Sequence, residues 1–236
     1  MEKVLWVVNY NNLDEFVKRA VAVGATAVAI RTDNDISKAL PVFKGKNIKV
    51  YGWRWPSAMV DPAMKEATKV VGLLAEGMDG YYVDPEGETG KPYDWDQNGL
   101  EKLAEDFCRK ITSAAPGKPF GTTSHYRGNK LFKRLPWKSF FKFSTVLLPQ
   151  AYWRVDGGVV GHGIPKDNYD QSIEFWTATG GDKAKIVPMA GELAHTTAGE
   201  IDEYVSAAKN QGIRELHFYT HLPNVKDGVW KAIARA

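Results

Sequence analysis

The run Tyr82-Val83-Asp84-Pro85-Glu86 places two carboxylates two positions apart at the end of an aromatic and β-branched stretch. Alternation along an extended chain turns Tyr82, Asp84 and Glu86 to one face, and Tyr81, Val83 and Pro85 to the other. The two acids then stand about 6.5–7 Å apart along the strand. Against low-dielectric walls, two anions so close cannot both keep ordinary acidity. One is expected to hold a proton near neutral pH and so to act as a general acid. Pro85 has no amide hydrogen, and the strand is expected to leave its sheet there. Glu88 and Asp96 fit a bland rim role; Asp96 is expected to cap a helix that starts at Asn98–Leu100.

Other polar and aromatic candidates also fall near the ends of predicted strands. Glu192, in Met189-Ala190-Gly191-Glu192, and Asp156 are the candidate second carboxylates, and Gln150-Ala151-Tyr152-Trp153 closes another predicted strand. Flat, apolar ligand faces stack on aromatic rings. Trp53, Trp55, Tyr82, Tyr126, Trp153 and Tyr219, with Gln150 and Asp156 as polar contacts, are therefore the expected substrate-binding residues; Trp95 belongs to the same group of loop tryptophans. Core packing accounts for about half of these tryptophans equally well. Arg31 suits either a substrate oxygen or an internal salt bridge.

Several chemistries find no support. His125, His195, His217 and His221 form no His-Glu-x-x-His pattern, so no metal is expected. Ser124 and His125 are neighbours on a predicted strand and face opposite ways, which argues against a nucleophile–base pair. The one cysteine, Cys108, falls on the apolar stripe Leu100, Leu103, Phe107, Ile111 and reads as a buried thiol. No Gly-x-Gly-x-x-Gly follows the first strand and no Gly-x-x-x-x-Gly-Lys-Ser/Thr occurs, so no nucleotide cofactor is expected.

The elements that position these residues alternate from end to end. Strands are predicted at Val4–Tyr10, Ala27–Thr32, Ile48–Trp55, Gly80–Asp84, Pro119–His125, Thr145–Trp153, Lys185–Ala190 and Glu215–Thr220. Helical spacing lies between them, as in Leu13, Phe16, Val17, Ala20, Val21. Over 236 residues this gives roughly 30 per strand-plus-helix unit, the length a βαβ module needs. The expectation is an α/β fold, one (β/α)8 TIM barrel, with residues 1–236 as a single catalytic domain. The fifth unit, Asn129 to Phe143, carries Pro136 and leaves space only for short helices; the glycines from Gly157 to Gly163 read as a loop, and Trp230–Ala236 as a last, truncated helix.

Asp79-Gly80-Tyr81-Tyr82-Val83-Asp84-Pro85-Glu86 resembles the Asp-Gly-x-Asp-x-Asp-x-Glu signature of the chitinase-like barrels of glycoside hydrolase family 18. It is also similar to the Asp-x-Glu of the family 25 lysozymes, and Gln150-Ala151-Tyr152 resembles the Gln/Met-x-Tyr segment of family 18. The resemblance implies Glu86 as general acid, with Asp84 and Tyr152 supporting the N-acetyl group of the substrate. Tyr82 stands where family 18 has its inner Asp, and Asn9 or Tyr10 where family 25 begins with an Asp. Asp84 and Glu86 share a strand and cannot readily flank a sugar, so the nucleophile is either the substrate's acetamido oxygen or a carboxylate from another strand, Glu192 or Asp156.

Charge bears on partners. Nine basic residues and no acid lie between Arg109 and Lys142, within a net charge of +3. Such a block reads either as a solvated surface or as a face for an anionic polymer such as a cell wall. No nucleic-acid recognition motif accompanies it. No segment reaches the roughly 18 apolar residues of a membrane span, and no secretory signal is seen, so a wall enzyme made in the cytoplasm would need another delivery route. The combined expectation is a monomeric hydrolase of a β-linked, N-acetylhexosamine-containing polysaccharide, peptidoglycan before chitin, without cofactor. Its rivals are a chitinase-like endo-N-acetylglucosaminidase, a barrel that binds glycan without cleaving it, and a sugar-phosphate aldolase. The last would want a phosphate loop and a strand-end lysine.

Overall fold

The structure is a computed structural model that describes residues 1–155 and 158–236. Its strands are β1 (Glu2–Val7), β2 (Ala27–Arg31), β3 (Lys49–Arg54), β4 (Gly80–Val83), β5 (Phe120–His125), β6 (Val146–Gln150), β7 (Arg154–Val155), β8 (Gly158–Val159) and β9 (Glu215–Phe218). Helices intervene as α1 (Leu13–Ala22), α2 (Ile36–Lys44), α3 (Val60–Glu76), α4 (Glu101–Ala114), α5 (Trp137–Phe141), α6 (Pro165–Ala178), α7 (Ala198–Asn210) and α8 (Asp227–Arg235). Seven strands form one parallel sheet in the order β6-β5-β4-β3-β2-β1-β9. The sheet curls into a TIM-barrel-like fold, as the alternating pattern predicts.

The seventh predicted strand departs from expectation. Lys185 belongs to a 3₁₀ turn, Lys183–Lys185, and Ile186–Ala190 joins the sheet edges through isolated bridges to β6 and β9. Val187 and Met189 donate to Leu147 and Pro149, 2.8 Å each, and Ala190 donates to His217 at 3.0 Å. Pro188, between the two donors, has no amide to add, so the barrel closes here with a thin seam.

Residue alternation sorts the core into two layers. Val4, Trp6, Ala27, Ala29, Tyr51, Trp53, Tyr82, Leu148 and Met189 fill the barrel. Residues of opposite parity, such as Leu5, Val28, Ile30, Val50, Tyr81 and Val83, pack under the helices. Large rings need small neighbours: a Cβ added to Gly121 would lie 2.7 Å from the Tyr82 ring. Tyr82 stacks on Trp6 with centroids 5.2 Å apart, and both are buried.

Local signals fix the helix starts. Asn12 and Asp35 accept from the amides of Glu15 and Lys38, and Thr197 with Glu200 forms a capping box. The fifth unit holds only a 3₁₀ turn at Gly128–Lys130 and the five-residue α5, which starts after Pro136. Asp96 does not cap α4, which begins at Glu101 after Leu100 with no side-chain cap. Its Oδ1 instead accepts from the amides of Arg134 (2.6 Å) and Leu135 (3.1 Å), tying the β5–α5 loop to the β4–α4 loop. Of the stretch expected as a glycine loop, Gly158–Val159 forms β8, which pairs antiparallel with β7 just before that stretch.

Candidate active site

At the C-terminal end of the strands a cleft of about 490 Å³ is lined by Trp55, Asp84, Glu86, Gly87, Glu88, Tyr93, Phe132, Gln150, Tyr152, Glu192 and Tyr219. Asp84 follows β4 directly, and its amide still donates to Arg54 at 2.8 Å. At Pro85 the chain leaves the ladder, as its missing amide predicts. The Pro85 carbonyl accepts from Ser124 Oγ at 2.7 Å and the Glu86 carbonyl from the Trp95 amide at 2.7 Å. β5 and the β4–α4 loop thus hold the turn that carries both acids.

This turn brings the carboxyl groups closer than the strand spacing of 6.5–7 Å allows: they hydrogen-bond each other. Gln150, at the end of β6, donates from Nε2 to Asp84 Oδ1 at 3.0 Å and to Glu86 Oε1 at 3.3 Å. Burial pushes Asp84 well above the usual carboxylate range, and the Glu86 charge pushes the same way. Burial also raises Glu86, to about 7, while hydrogen bonds from Asp84 and Gln150 hold it down. The pair therefore keeps a proton through neutrality, and Glu86, the more accessible member, titrates where a general acid–base works best.

Across the cleft stand Glu192, Tyr152 and Tyr219. Tyr152 and Tyr219 stack with centroids 5.4 Å apart at 14°. Burial raises both phenols, so they remain hydrogen-bond donors. Glu192 has φ 54°. Next to it Gly191 lies against Tyr152: an added Cβ would fall 1.9 Å from the ring, so this position requires glycine.

Seven of the expected residues meet in this cleft: Asp84, Glu86, Gln150, Tyr152, Glu192, Trp55 and Tyr219. Four others do not reach it. Trp53 (1% exposed) donates its indole N–H to Val7 inside the barrel, and Tyr82 (2%) lies beneath Asp84 against Trp6. Tyr126 (1%) packs on His125 and Phe175, and Trp153 (0%) faces Tyr204, away from Tyr152. Trp95 is also buried, its indole bonded to Pro56. Their hydrophobic area is spent on the core. Asp156 lies outside the described residues.

Sequence reasoning missed Tyr93 and Phe132 and placed Glu88 on the rim. Tyr93 donates to Glu88 at 2.8 Å. Phe132 reaches the cleft because the β5–α5 loop is pinned by Asp96, and a Cβ on Gly87 would meet its ring at 2.5 Å. An aromatic inside a basic, proline-bounded loop was the available signal.

The remaining candidates have structural partners. Arg31 pairs with Asp33 at 2.6 Å and covers the Trp55 ring at 4.9 Å. Cys108 is buried. Among the described residues no three His, Cys, Asp or Glu side chains are grouped to hold a metal, and no helix is long and apolar enough to cross a membrane. The basic block is divided. Arg109 and Lys142 pair with Glu105, Arg134 pairs with Asp96, and Lys118 donates to the carbonyls of Leu74 and Met78. Arg127, Lys130, Lys133 and Lys138 remain exposed on the loop and helix beside Phe132. A larger cavity, about 710 Å³, lies at the opposite end, among Met1, Glu2, Lys183 and Gln211–Glu215, far from the acids.

No family model and no curated protein sequence matches the chain. Solved structures share its fold at low identity. A class V chitinase from Pseudomonas fluorescens Pf-5 superposes with TM-score 0.66 at 11% identity, covering 98% of each chain. The chitinase domain of the spore coat protein CotE from Clostridium difficile gives 0.55 at 12%; the match covers 80% of this chain and 64% of that one. A putative deoxyribose-phosphate aldolase from Toxoplasma gondii ME49 gives 0.60 at 10%, covering 99% and 93%. The chain therefore has the barrel fold that chitinases and aldolases share, and the chemistry must be argued from the site.

Proposed function

We propose that the protein hydrolyses a β-linked polysaccharide containing N-acetylhexosamine, with Glu86 as acid and base. The observation that carries this reading is the Asp84–Glu86–Gln150 cluster in the cleft, where Glu86 is raised to about 7. Protonated Glu86 gives its proton to the glycosidic oxygen as the bond to the anomeric carbon breaks. Because Asp84 hydrogen-bonds Glu86, it does not lie across the sugar, so the acetamido oxygen of the substrate attacks that carbon. Asp84 orients the acetamido group and the Tyr152 hydroxyl donates to its carbonyl. Glu86 then takes a proton from water, which opens the cyclic intermediate and restores the acid. Glu192 on the opposite wall is the protein alternative to the acetamido nucleophile.

Peptidoglycan is favoured over chitin because Arg127, Lys130, Lys133 and Lys138 are exposed on the segment that also carries the cleft residue Phe132, and a basic segment suits an anionic wall. An aldolase that forms a Schiff base needs a lysine in the site, and the cleft is lined by carboxylates and aromatics instead. The deciding experiment incubates the protein with purified peptidoglycan and with N-acetylglucosamine oligomers and reads new reducing ends by mass. Binding of these glycans without cleavage would replace the hydrolase with a lectin-like barrel.

A further inference from the structure

Behind Trp55 and Tyr93 lies a second recess of about 300 Å³, walled also by Arg54, Pro62, Glu66 and Pro92. Trp55 and Tyr93 line the acidic cleft too, so the two cavities share a wall. The recess is preformed. Ser57 Oγ and the Ala58 amide both donate to the Pro92 carbonyl, at 3.0 and 2.7 Å, and the Trp95 indole donates to Pro56 at 2.9 Å. These bonds clamp the loop after β3 to the loop before α4. Arg31 over its ring and Trp53 at 5.3 Å fix Trp55.

Its polar lining is charge-compensated. The Arg54 guanidinium stands 3.4 Å from Asp33 and 3.9 Å from Glu66, and Glu66 accepts from Thr32 Oγ1. An anionic group would meet Asp33 and Glu66 behind the arginine, and a wholly apolar ligand would strip water from these charges without replacing its hydrogen bonds. A ring with one apolar face and equatorial hydroxyls fits both requirements, stacking on the aromatics and bonding to the ion pair.

We propose that this recess is an additional subsite for a neutral pyranose unit of the glycan cut in the acidic cleft. The inference rests on the hydrolase reading and extends it: the protein engages its polymer on both sides of the Trp55–Tyr93 wall and cuts within chains. Longer oligomers then bind more tightly than short ones, because the distant unit adds contacts without a second association cost.

Pro62 offers a clean test, since it is exposed in the first turn of α3 and has no amide hydrogen to lose. In a Glu86→Gln background, which removes turnover, N-acetylglucosamine oligomers of increasing length are titrated by calorimetry. The longest should bind about tenfold tighter than the shortest that fills the cleft, the equivalent of one stacked ring with its hydrogen bonds. Adding Pro62→Trp, or Pro62→Phe as a second blocking variant, should bring that ratio to about one, with far-ultraviolet circular dichroism and the thermal melt unchanged. An unaltered ratio in both folded variants, with wild-type turnover intact, overturns the subsite alone. Neither binding nor turnover of these oligomers or of purified peptidoglycan by the wild type overturns the hydrolase reading and the subsite with it.

Discussion

Two pairs of titratable side chains, at opposite ends of the barrel, have opposite electrostatics. At the C-terminal end Asp84 and Glu86 are two carboxyl groups pressed together around a retained proton, with one amide, Gln150, shared between them. Towards the N-terminal end His217 sits at 0% exposure between complementary partners: the Trp6 indole donates to Nδ1 at 2.9 Å, and Nε2 stands 2.6 Å from Glu215. Because Nδ1 accepts, the hydrogen belongs on Nε2 and is donated to the carboxylate. Burial pushes Glu215 up, but the hydrogen bond from His217, with Lys49, brings it below its ordinary value. The interior pair is satisfied and supports the fold. The cleft pair is frustrated, and such cost is tolerated where it shifts an acid into its working range.

The sharpest break of this contrast is Glu86→Gln. Turnover should fall at least about a hundredfold with glycan binding retained, the usual size of a general-acid effect. Stability should move the other way. Glu86 binds its proton more tightly folded (about 7) than at its ordinary 4.5, so the folded state holds the extra proton between those values. Stability therefore falls as pH rises through that window. Removing the charge should raise stability at pH 8 by about 1–3 kcal/mol and flatten the slope, as read by thermal melts across pH. Glu215 has the opposite sign: its contribution is lost as pH falls below the usual carboxylate range.

His217→Leu probes the satisfied pair. It leaves the Trp6 N–H buried without a partner, at a cost of about 1–3 kcal/mol in denaturant unfolding. The pH dependence of turnover should not change. Gln150→Leu falls between the two regions in effect. The amide lowers Glu86, so its loss should shift the alkaline limb of the rate profile upward. A downward shift would mean that Gln150 serves the substrate and not the acid. The smallest effect is expected from Lys130, Lys133 and Lys138→Gln. Binding to intact walls should weaken about severalfold at low salt and converge with wild type as salt rises, while cleavage of neutral oligomers is unchanged.

The contrast also explains what could be read in the sequence. Period-two alternation and loop spacing are local, and they reveal the strands, the short fifth unit and the acids at the end of β4. Glu192 could be placed with the acids of β4 because the C-terminal ends of all the strands open on one face of a barrel. The buried ring residues could not be sorted by strand position alone. Trp53 and Trp55 lie two apart on one face, yet only Trp55 rises above the filled interior, because depth in a barrel depends on what the other strands put beneath it. Asp96 misled for a related reason: a loop carboxylate before a helix is a good cap in isolation, but the amides of Arg134 and Leu135, nearly 40 residues away, outcompeted the helix end. The convergence of Asp84 and Glu86 depends on the turn at Pro85, which Ser124 holds from the next strand.

The central claim is that a protonated Glu86 cuts a glycosidic bond, and the most direct measurement is the pH–rate profile of glycan cleavage, with products identified by mass, for wild type and Glu86→Gln side by side. The wild type should release new reducing ends with a rate that declines as pH rises through about 7, where Glu86 loses its proton. The variant should release almost none at any pH. Cleavage by the variant within a few-fold of wild type, or a wild-type rate flat to pH 9, would contradict the assignment.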